Sequence, residues 1–356
     1  MKIQYFDTVI VGAGLSGIGA AYHMQMHCPE RSYVILEARS SVGGTWDLFR
    51  YPGIRSDSDM HTLGYAFRPW KESKVIADGP SILRYVKDTA KEYGIDRHIQ
   101  FNQKLLRAEW SQDRNQWTLR ILNSECEKGH EEEYQEKYQE KYEEEYEIHC
   151  HFLLMCAGYY DFEKGYTPDY PGFSHYQGQF IHPQHWDPTA DYSGKNVVVI
   201  GSGATAISLV PELAKKAKKV VMLQRSPSYI LSLPSIDPLS EFLKRRLPEK
   251  MAYRTIRQKN IFLASAFYKF CRRFPGLSRK LLLRRVQRVF GKEVHSMKHF
   301  SPNYDPWLQR LCIIPDGDLF KSIRSGKVEV VTDSIKHFVS SGISLTSGRS
   351  LEADLI

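Results

Sequence analysis

The stretch "TVIVGAGLSGIGAA", residues 8–21, decides the first part of the fold, because a short β-branched run passes directly into a glycine-rich turn. Gly12, Gly14 and Gly17 give the spacing G-x-G-x-x-G at the start of a helical pattern. The first glycine allows the tight turn, the second lets a pyrophosphate approach the backbone, and the third lets helix and strand pack closely. The stretch predicts a βαβ unit that binds a dinucleotide.

The next predicted strand, in "YVILEAR", ends at an acidic residue. Glu37 lies 25 residues after Gly12 (37 − 12). A carboxylate at this place accepts hydrogen bonds from the adenosine ribose hydroxyls and repels a 2′-phosphate. The first loop therefore suits FAD or NAD.

A second strand, glycine turn and helix follow in "NVVVIGSGATAISLV", residues 196–210. Its small residues are Gly201, Gly203 and Ala206, and the motif tolerates alanine at the third place. The end of the partner strand carries Gln224 and Arg225 instead of an acid. Because a guanidinium can donate two parallel hydrogen bonds to a phosphate dianion, this loop predicts NADP(H). The economical interpretation is a flavoprotein that passes hydride from NADPH to FAD.

The length and composition predict a globular protein with room for two or three domains. The 356 residues are 42% hydrophobic and 25% charged, which is ordinary for such proteins. No apolar run is long enough to cross a membrane, and the start lacks the pattern of a signal peptide. The six Cys are scattered without a CxxC, which argues against a disulfide framework, a zinc site or a dithiol centre. We expect a cytoplasmic protein.

Two segments have a strong charge bias. Residues 127–147 form a low-complexity insert of ten Glu and three Lys, for which a solvated loop is favoured over a partner-binding helix. Residues 244–292 contain sixteen Lys or Arg and one acid. This basic run predicts solvated faces of amphipathic helices, so no nucleic-acid partner is expected, and peripheral membrane association is the less favoured alternative.

Two further motifs resemble those of the flavin-dependent Baeyer–Villiger monooxygenases. They are "GGTWDLFRYPGIRSDSD", residues 43–59, and the fingerprint "YQGQFIHPQHWD", residues 176–187. The fingerprint places are filled by Tyr176, Gly178, His182, Trp186 and Asp187. The sibling flavin-containing monooxygenases end the fingerprint with Tyr and a basic residue, so Trp186 and Asp187 favour the Baeyer–Villiger branch. With "WLQRLCIIPDGDLF", residues 307–320, the chain looks closest to the subgroup that activates ethionamide in mycobacteria.

The resemblance implies an α/β protein with two Rossmann-like dinucleotide-binding domains, for FAD and NADP, and a helical insertion in the second. Residues 1–158 would form the N-terminal part of the FAD domain, including the insert 127–147. Residues 159–356 would form the NADP domain, with a helical subdomain at about 230–309. The family continues beyond the last residue to complete the FAD domain, so we expect that remainder to be absent from this chain.

The resemblance also implies a reaction. One oxygen atom from O2 enters a ketone to give an ester or lactone, with sulfur oxidation as a side activity. Two alternatives stay open: a flavin-containing monooxygenase acting on nitrogen or sulfur, and a truncated, non-catalytic chain that only binds NADP(H). A disulfide reductase is disfavoured because no redox Cys pair follows the first loop.

Three residues carry the implied chemistry. Arg310 matches the fixed cation beside the flavin, where negative charge develops on oxygen. Asp57 matches the carboxylate that pairs with this arginine and contacts the flavin. His182 matches the residue that couples motion of the two domains to cofactor binding. We expect no metal site at His182 and His185, because no nearby Cys or carboxylate cluster completes one.

The cofactor-binding residues follow from the two loops and from the resemblance. Those for FAD are Gly12, Gly14, Ser16, Gly17, Glu37, Thr45, Trp46, Asp47, Leu48, Asp57 and, through a backbone contact to adenine, Leu105. Arg55 and Ser56 match positions on the nicotinamide side. Those for NADP are Gly201, Ser202, Gly203, Ala204, Thr205, Ala206, Ile207, Arg225 and Ser226.

Overall fold

The structure is a computed structural model, and it describes residues 3–124, 144–291, 294–309 and 311–356. Most of the predicted low-complexity insert lies outside the described residues, as does Arg310.

The described part of the chain contains both strands and helices. In chain order the strands are β1 (Ile3–Val11), β2 (Tyr33–Leu36), β3 (Ile99–Gln100), β4 (Gln103–Ser111), β5 (Gln116–Asn123), β6 (Glu144–Met155), β7 (Asn196–Ile200), β8 (Lys219–Gln224), β9 (Tyr229–Leu233), β10 (Leu311–Pro315), β11 (Val328–Thr332), β12 (Ile335–Val339), β13 (Gly342–Leu345) and β14 (Ser350–Glu352). The helices are α1 (Leu15–His27), α2 (Thr45–Leu48), α3 (Met60–Leu63), α4 (Gly79–Glu92), α5 (Ala204–Leu213), α6 (Pro238–Arg246), α7 (Glu249–Arg273), α8 (Pro275–Phe290), α9 (Val294–Phe300) and α10 (Asp318–Arg324).

The chain divides into two compact units. The first comprises Met1–Leu48 and Pro80–Phe162, and the second comprises Phe49–Gly79 and Glu163–Ile356. The segment Phe49–Gly79 thus packs with the second unit, although it lies inside the range 1–158 predicted for the FAD domain. The division of the chain by cofactor stays a prediction.

The first unit is built on one mixed sheet with the strand order β3-β2-β1-β6-β5-β4. The strands β3, β2, β1 and β6 run parallel, and β5 is antiparallel to both of its neighbours. Central β1 carries the fully buried Val9 and Ile10, which the β-branched run predicted. The sheet places the turn after β1 at the carboxyl ends of the parallel strands, where dinucleotides bind in such folds.

The second unit contains a parallel sheet with the order β11-β8-β7. Leu355 extends this sheet, because it bridges Val197 of β7 on one side and Gln179 on the other. Strands β12, β13 and β14 form an antiparallel sheet, whose Phe338 and Ile343 share an apolar core with the parallel sheet. Both units therefore have the predicted α/β, Rossmann-like organisation, and the fold class is confirmed.

Helices α6 to α9 lie in the region predicted as a helical subdomain. Each of the two longest buries a stripe, represented by Ile256 on α7 and Leu282 on α8, while most of their Lys and Arg residues are exposed. This is the amphipathic pattern expected of helices on the outside of a domain. None of the helices in the described ranges combines the length and apolar character that a membrane crossing requires.

Candidate dinucleotide sites and active site

At two positions of the first glycine loop, Gly12 and Gly17, the backbone packs too closely to admit a side chain. Gly12 has φ +104°, and a Cβ there would lie 2.6 Å from the carbonyl oxygen of Cys156. A Cβ on Gly17 would lie 1.9 Å from the oxygen of Gly12. Gly14 forms the N-cap of α1, and Ser16 is exposed in its first turn. The N–H groups at the start of a helix form the kind of cradle that holds a pyrophosphate.

Glu37 lies next to this loop, as the sequence spacing predicted. Its carboxylate is buried, and it accepts hydrogen bonds from the N–H of Ala13 at 2.7 Å and of Arg39 at 3.0 Å. Each carboxylate oxygen has a further lone pair for a hydroxyl donor. The residues around the loop therefore fit an adenosine ribose and its pyrophosphate.

A second pair of glycines packs against the loop. The N–H of Gly43 donates to Ala13 at 3.1 Å, and a Cβ on Gly44 would lie 3.1 Å from the Cα of Gly14. The turn leads into α2, which consists of the predicted residues Thr45, Trp46, Asp47 and Leu48. The sequence therefore brings these four residues to the first loop.

Asp47 is held by protein partners. Its buried carboxylate accepts hydrogen bonds from Arg39 at 2.6 Å and from the Ser41 hydroxyl at 2.5 Å. Lys87 lies 3.8 Å from the other carboxylate oxygen. This pairing fastens α2 beside the loop, a role that the sequence prediction did not distinguish from direct cofactor contact.

Residues 49–57, which we call the arm, lie along α5 in the second unit. The Tyr51 hydroxyl is 3.4 Å from that of Ser208. Gly53 has φ +81°, and a Cβ there would lie 2.4 Å from the carbonyl oxygen of Ser208. Arg55 forms an ion pair with Asp318. Only glycine allows the arm to approach the helix this closely.

The end of the arm carries the other predicted residues. Ser56 is buried and accepts a hydrogen bond from the Ala77 N–H at 3.1 Å. Asp57 is exposed, and no side chain among the described residues pairs with its carboxylate. Because Arg310 lies outside the described residues, the pairing of these two stays a prediction. Leu105 lies on β4 and packs against the core of the first unit.

The second glycine loop repeats the geometry of the first. Gly201 has φ +134°, and its N–H donates to Leu223 at 2.8 Å. The Ser202 hydroxyl is buried and donates to the carbonyl of Ser226 at 3.0 Å. Gly203 is the N-cap of α5, whose first residues are Ala204, Thr205, Ala206 and Ile207.

Arg225 lies beside the second glycine loop. It directly follows β8 and is exposed, as is Ser226, whose backbone is tied to the loop by Ser202. No acidic side chain in the described ranges forms an ion pair with Arg225. The preceding Gln224 is buried and donates to His299 at 2.7 Å and Thr332 at 2.9 Å, so it is a structural residue. The loop thus presents a guanidinium that is available for a phosphate.

The fingerprint segment begins with a close contact between an aromatic ring and a glycine. The Tyr176 hydroxyl donates to the carbonyl of Ala353 at 3.1 Å. A Cβ on Gly178 would lie 2.2 Å from that hydroxyl, so the glycine leaves room for the tyrosine. The N–H of Gln179 then donates to Asp354 at 3.0 Å. These contacts hold the fingerprint segment beside Leu355, which in turn bridges to the edge strand β7 of the parallel sheet.

His182 ends this edge pairing. Its Nδ1 accepts a hydrogen bond from the Gln184 N–H at 3.2 Å, which caps a short 3-10 helix. Burial, and next the nearby His185, lower the pKa of His182, so its ring is neutral near pH 7. A Cβ on Gly165 would lie 2.2 Å from the ring, so the ring lies against the backbone there.

The last two fingerprint residues are also anchored locally. The ring of Trp186 makes an edge-to-face contact with Tyr192, with centroids 6.2 Å apart. Asp187 accepts hydrogen bonds from the side chain and N–H of Thr189, which lower the pKa of its carboxyl. Both residues therefore hold the shape of the segment.

Sequence reasoning missed two residues of this region. Asp318, which pairs with Arg55, carries no signal that distinguishes it from any acid at the start of a helix. His61 is fully buried, and neither of its ring nitrogens has a hydrogen-bond partner among the described residues. Only the three-dimensional arrangement reveals either residue.

Two family descriptions match the chain. Residues 75–343 match the family described as flavin-binding monooxygenase-like, and residues 10–73 match the NAD(P)-binding Rossmann-like domain. The first match covers the second glycine loop, the fingerprint and the helical region.

The chain is similar to curated proteins over almost its whole length. It is 52% identical to the FAD-containing monooxygenase EthA of Mycobacterium tuberculosis (strain ATCC 25618 / H37Rv) over 354 residues, which cover 99% of this chain and 69% of that protein. It is 50% identical to the FAD-containing monooxygenase EthA of Mycolicibacterium smegmatis, with 99% and 68% covered.

Solved structures share the fold. An oxidized steroid monooxygenase bound to NADP superposes with a TM-score of 0.77 at 22% identity, covering 99% of this chain and 70% of that one. A cyclohexanone-bound cyclohexanone monooxygenase gives a TM-score of 0.72 at 19% identity, with 99% and 72% covered.

Proposed function

Because this chain belongs to the flavin-binding monooxygenase-like family, we propose that it inserts one oxygen atom of O2 into a ketone to give an ester or lactone. It is an NADPH-dependent flavin monooxygenase whose cofactors are FAD and NADP(H). Sulfide oxidation is proposed as a side activity. Bound FAD supplies the oxygen-transfer chemistry, and the chain supplies binding, orientation and charge.

The first glycine loop is proposed to hold FAD. The N–H groups after Gly12 and Gly14 would bind the pyrophosphate, and Glu37 would accept the ribose hydroxyls. The four residues of α2 would line the cofactor beside this loop, where Asp47 keeps the helix in place. This assignment is supported by the buried carboxylate of Glu37 and by the close backbone packing at Gly12 and Gly17.

The second glycine loop is proposed to hold NADP(H). Thr205, Ser226 and the backbone N–H of Ser202 would donate to its phosphates, and Arg225 would bind the 2′-phosphate. The exposed guanidinium, without an acidic partner in the described ranges, supports this role. A dianionic phosphate at this place would supply the partner that the arginine lacks.

The ketone is proposed to react near Asp57 and Arg310. A fixed guanidinium stabilises the negative charge that develops on the substrate oxygen, and a carboxylate beside it orients the guanidinium. The open carboxylate of Asp57 supports this pairing. His182 would transmit the position of the fingerprint segment, because its neutral ring fixes the turn there.

The fingerprint is the observation that carries the ketone assignment. Its first residues, Tyr176 and Gly178, interlock, and its last, Trp186 and Asp187, are anchored by contacts of their own. The whole motif therefore forms one continuous structural element, whose sequence favours the Baeyer–Villiger branch.

The assignment is tested with the natural protein expressed from the complete reading frame that contains this sequence. With NADPH and isotopically labelled O2, we expect one labelled oxygen in the ester formed from phenylacetone, detected by gas chromatography and mass spectrometry. Thioanisole and N,N-dimethylaniline are run in parallel. Sulfoxide and N-oxide without ester would favour the nitrogen- and sulfur-oxidising relatives, and NADPH binding without oxygen consumption would indicate a non-catalytic protein.

The role of the cation is tested by Arg310→Ala. We expect FAD to stay bound and ester formation to fall roughly 10²-fold, the scale for removing one donor to a developing oxyanion. Arg324→Ala, which removes an exposed arginine at the end of α10, is the matched control and should keep wild-type activity. Wild-type ester yield in Arg310→Ala would contradict the proposed role.

A further inference from the structure

The arm is fastened to the second unit by contacts with two different helices. Tyr51 and Gly53 lie against Ser208 of α5. Arg55 reaches Asp318, the first residue of α10, and its other guanidinium nitrogen lies 3.5 Å from the carbonyl of Ile207. Arg55 therefore joins α10, α5 and the arm.

The ion pair between Arg55 and Asp318 is partly shielded from solvent. The side chain of Arg55 is 13% exposed and that of Asp318 27% exposed. Both guanidinium nitrogens face the carboxylate, the second at 3.4 Å. Asp318 also accepts a hydrogen bond from the Leu319 N–H at 2.7 Å, which fixes its carboxylate at the start of the helix. Removing one partner of such a pair leaves an uncompensated buried charge, which is strongly unfavourable.

The backbone of the arm also makes hydrogen bonds of its own, which include an antiparallel bridge between Arg55 and Asp78. The N–H of Ser56 donates to Ala77 at 2.9 Å, and that of Gly79 donates to Ile54 at 2.8 Å. Asp57 follows directly and is exposed. These bonds hold the backbone beside Arg55, and the ion pair with Asp318 links that backbone to α10 two residues before Asp57.

We propose that Asp318 is a positioning residue, which holds Arg55 and through it keeps the arm, with Asp57, fixed against the second nucleotide-binding fold. The consequence for catalysis rests on the proposed function, whereas the consequence for the arm's backbone does not. Asp318 is not proposed to touch a cofactor or the substrate.

The backbone effect is tested by Asp318→Asn, which keeps the size of the side chain and removes its charge. Hydrogen exchange followed by mass spectrometry should show the arm amides exchanging about 10-fold faster, the scale for losing one charge-assisted hydrogen bond. Peptides from β7 and β8 should be unchanged. Asp316→Asn is the matched control, since Asp316 lies in the same turn but accepts from Ser235.

The catalytic effect is measured as the share of consumed NADPH that ends in oxygenated product. We expect this share to fall severalfold in Asp318→Asn with the KM for NADPH unchanged, and Asp318→Glu, which restores the charge, to recover it. Unchanged exchange in the arm, or exchange that rises equally throughout the second unit, would overturn the proposal. If the wild-type protein forms no oxygenated product, that result contradicts the proposed function. The hydrogen-exchange experiment still decides whether Asp318 positions the arm.

Discussion

The two glycine loops share a turn but differ in how tightly it is packed. Both begin with a glycine at positive φ, Gly12 and Gly201. In the first loop a Cβ at Gly17 would lie 1.9 Å from a backbone oxygen, whereas the second loop carries Ala206 at the equivalent place. A Cβ on Gly201 would lie 3.9 Å from that of Ala206, at ordinary contact distance. The same motif therefore tolerates a methyl group in one unit and excludes it in the other.

The loops differ more in the residue that follows the second strand. Glu37 is buried and hydrogen-bonded to the loop, and Arg225 is exposed without an acidic partner in the described ranges. The glycines provide a place for any pyrophosphate, so they do not select a cofactor. The proposed choice between FAD and NADP(H) therefore rests on Glu37 and Arg225 at the strand ends.

The largest effect is expected for Gly17→Ala. Because the new methyl group would overlap a backbone oxygen that cannot rotate away, we expect a loss of roughly 3 kcal/mol or more in the free energy of unfolding of the first unit. The reciprocal change, Ala206→Gly, should cost only about 1 kcal/mol, the usual helix penalty of glycine. Denaturant unfolding of both variants measures the difference.

Equal losses in these two variants would show that the loops are equally tight. A Gly17→Ala protein of wild-type stability that still binds FAD would contradict the crowding described for the first loop.

The second-largest expected effect is that the two units differ in how much stability they lose at acidic pH. Buried Asp47 in the first unit has Arg39 as a partner, whereas neither ring nitrogen of buried His61 in the second unit has a hydrogen-bond partner within the described part of the chain. Burial, and next the cation of Lys244, lower the pKa of His61 from 6.5 to about 4. Between these two pKa values the unfolded chain binds a proton at His61 that the folded chain does not bind. The free energy of unfolding therefore decreases as the pH falls from about 6.5 towards 4.

His61→Leu should remove this loss. Between pH 7 and pH 5 we expect the wild-type second unit to lose about 2 kcal/mol more than the variant does. Hydrogen exchange of α7 peptides measures this difference, with α1 peptides as the internal reference and His175→Leu, at an exposed histidine, as the control. Parallel pH profiles of wild type and His61→Leu would mean that the ring is not the group responsible.

Much of the fold could be predicted because its signals are local. The glycine spacing, the alternation of strands and helices and the acid at Glu37 all follow from short stretches of sequence.

The rest depends on contacts between distant residues. The arm is part of the second unit because Gly53 and Arg55 contact residues more than 150 positions away in the sequence. No local sequence pattern encodes such contacts. The pairing of Gln179 with residues 354–356 is likewise invisible in the sequence. Arg310 had no signal of its own, and its role stays a prediction.

The central claim is that the second loop reads the 2′-phosphate through Arg225, and it is tested most directly by nucleotide affinity. Isothermal titration should show that Arg225→Ala weakens NADPH binding at least about 10-fold, which corresponds to about 1.4 kcal/mol, and leaves NADH binding nearly unchanged. Lys218→Ala, at an exposed lysine before β8, is the control and should affect neither nucleotide. Equal weakening of NADPH and NADH in Arg225→Ala would contradict the claim.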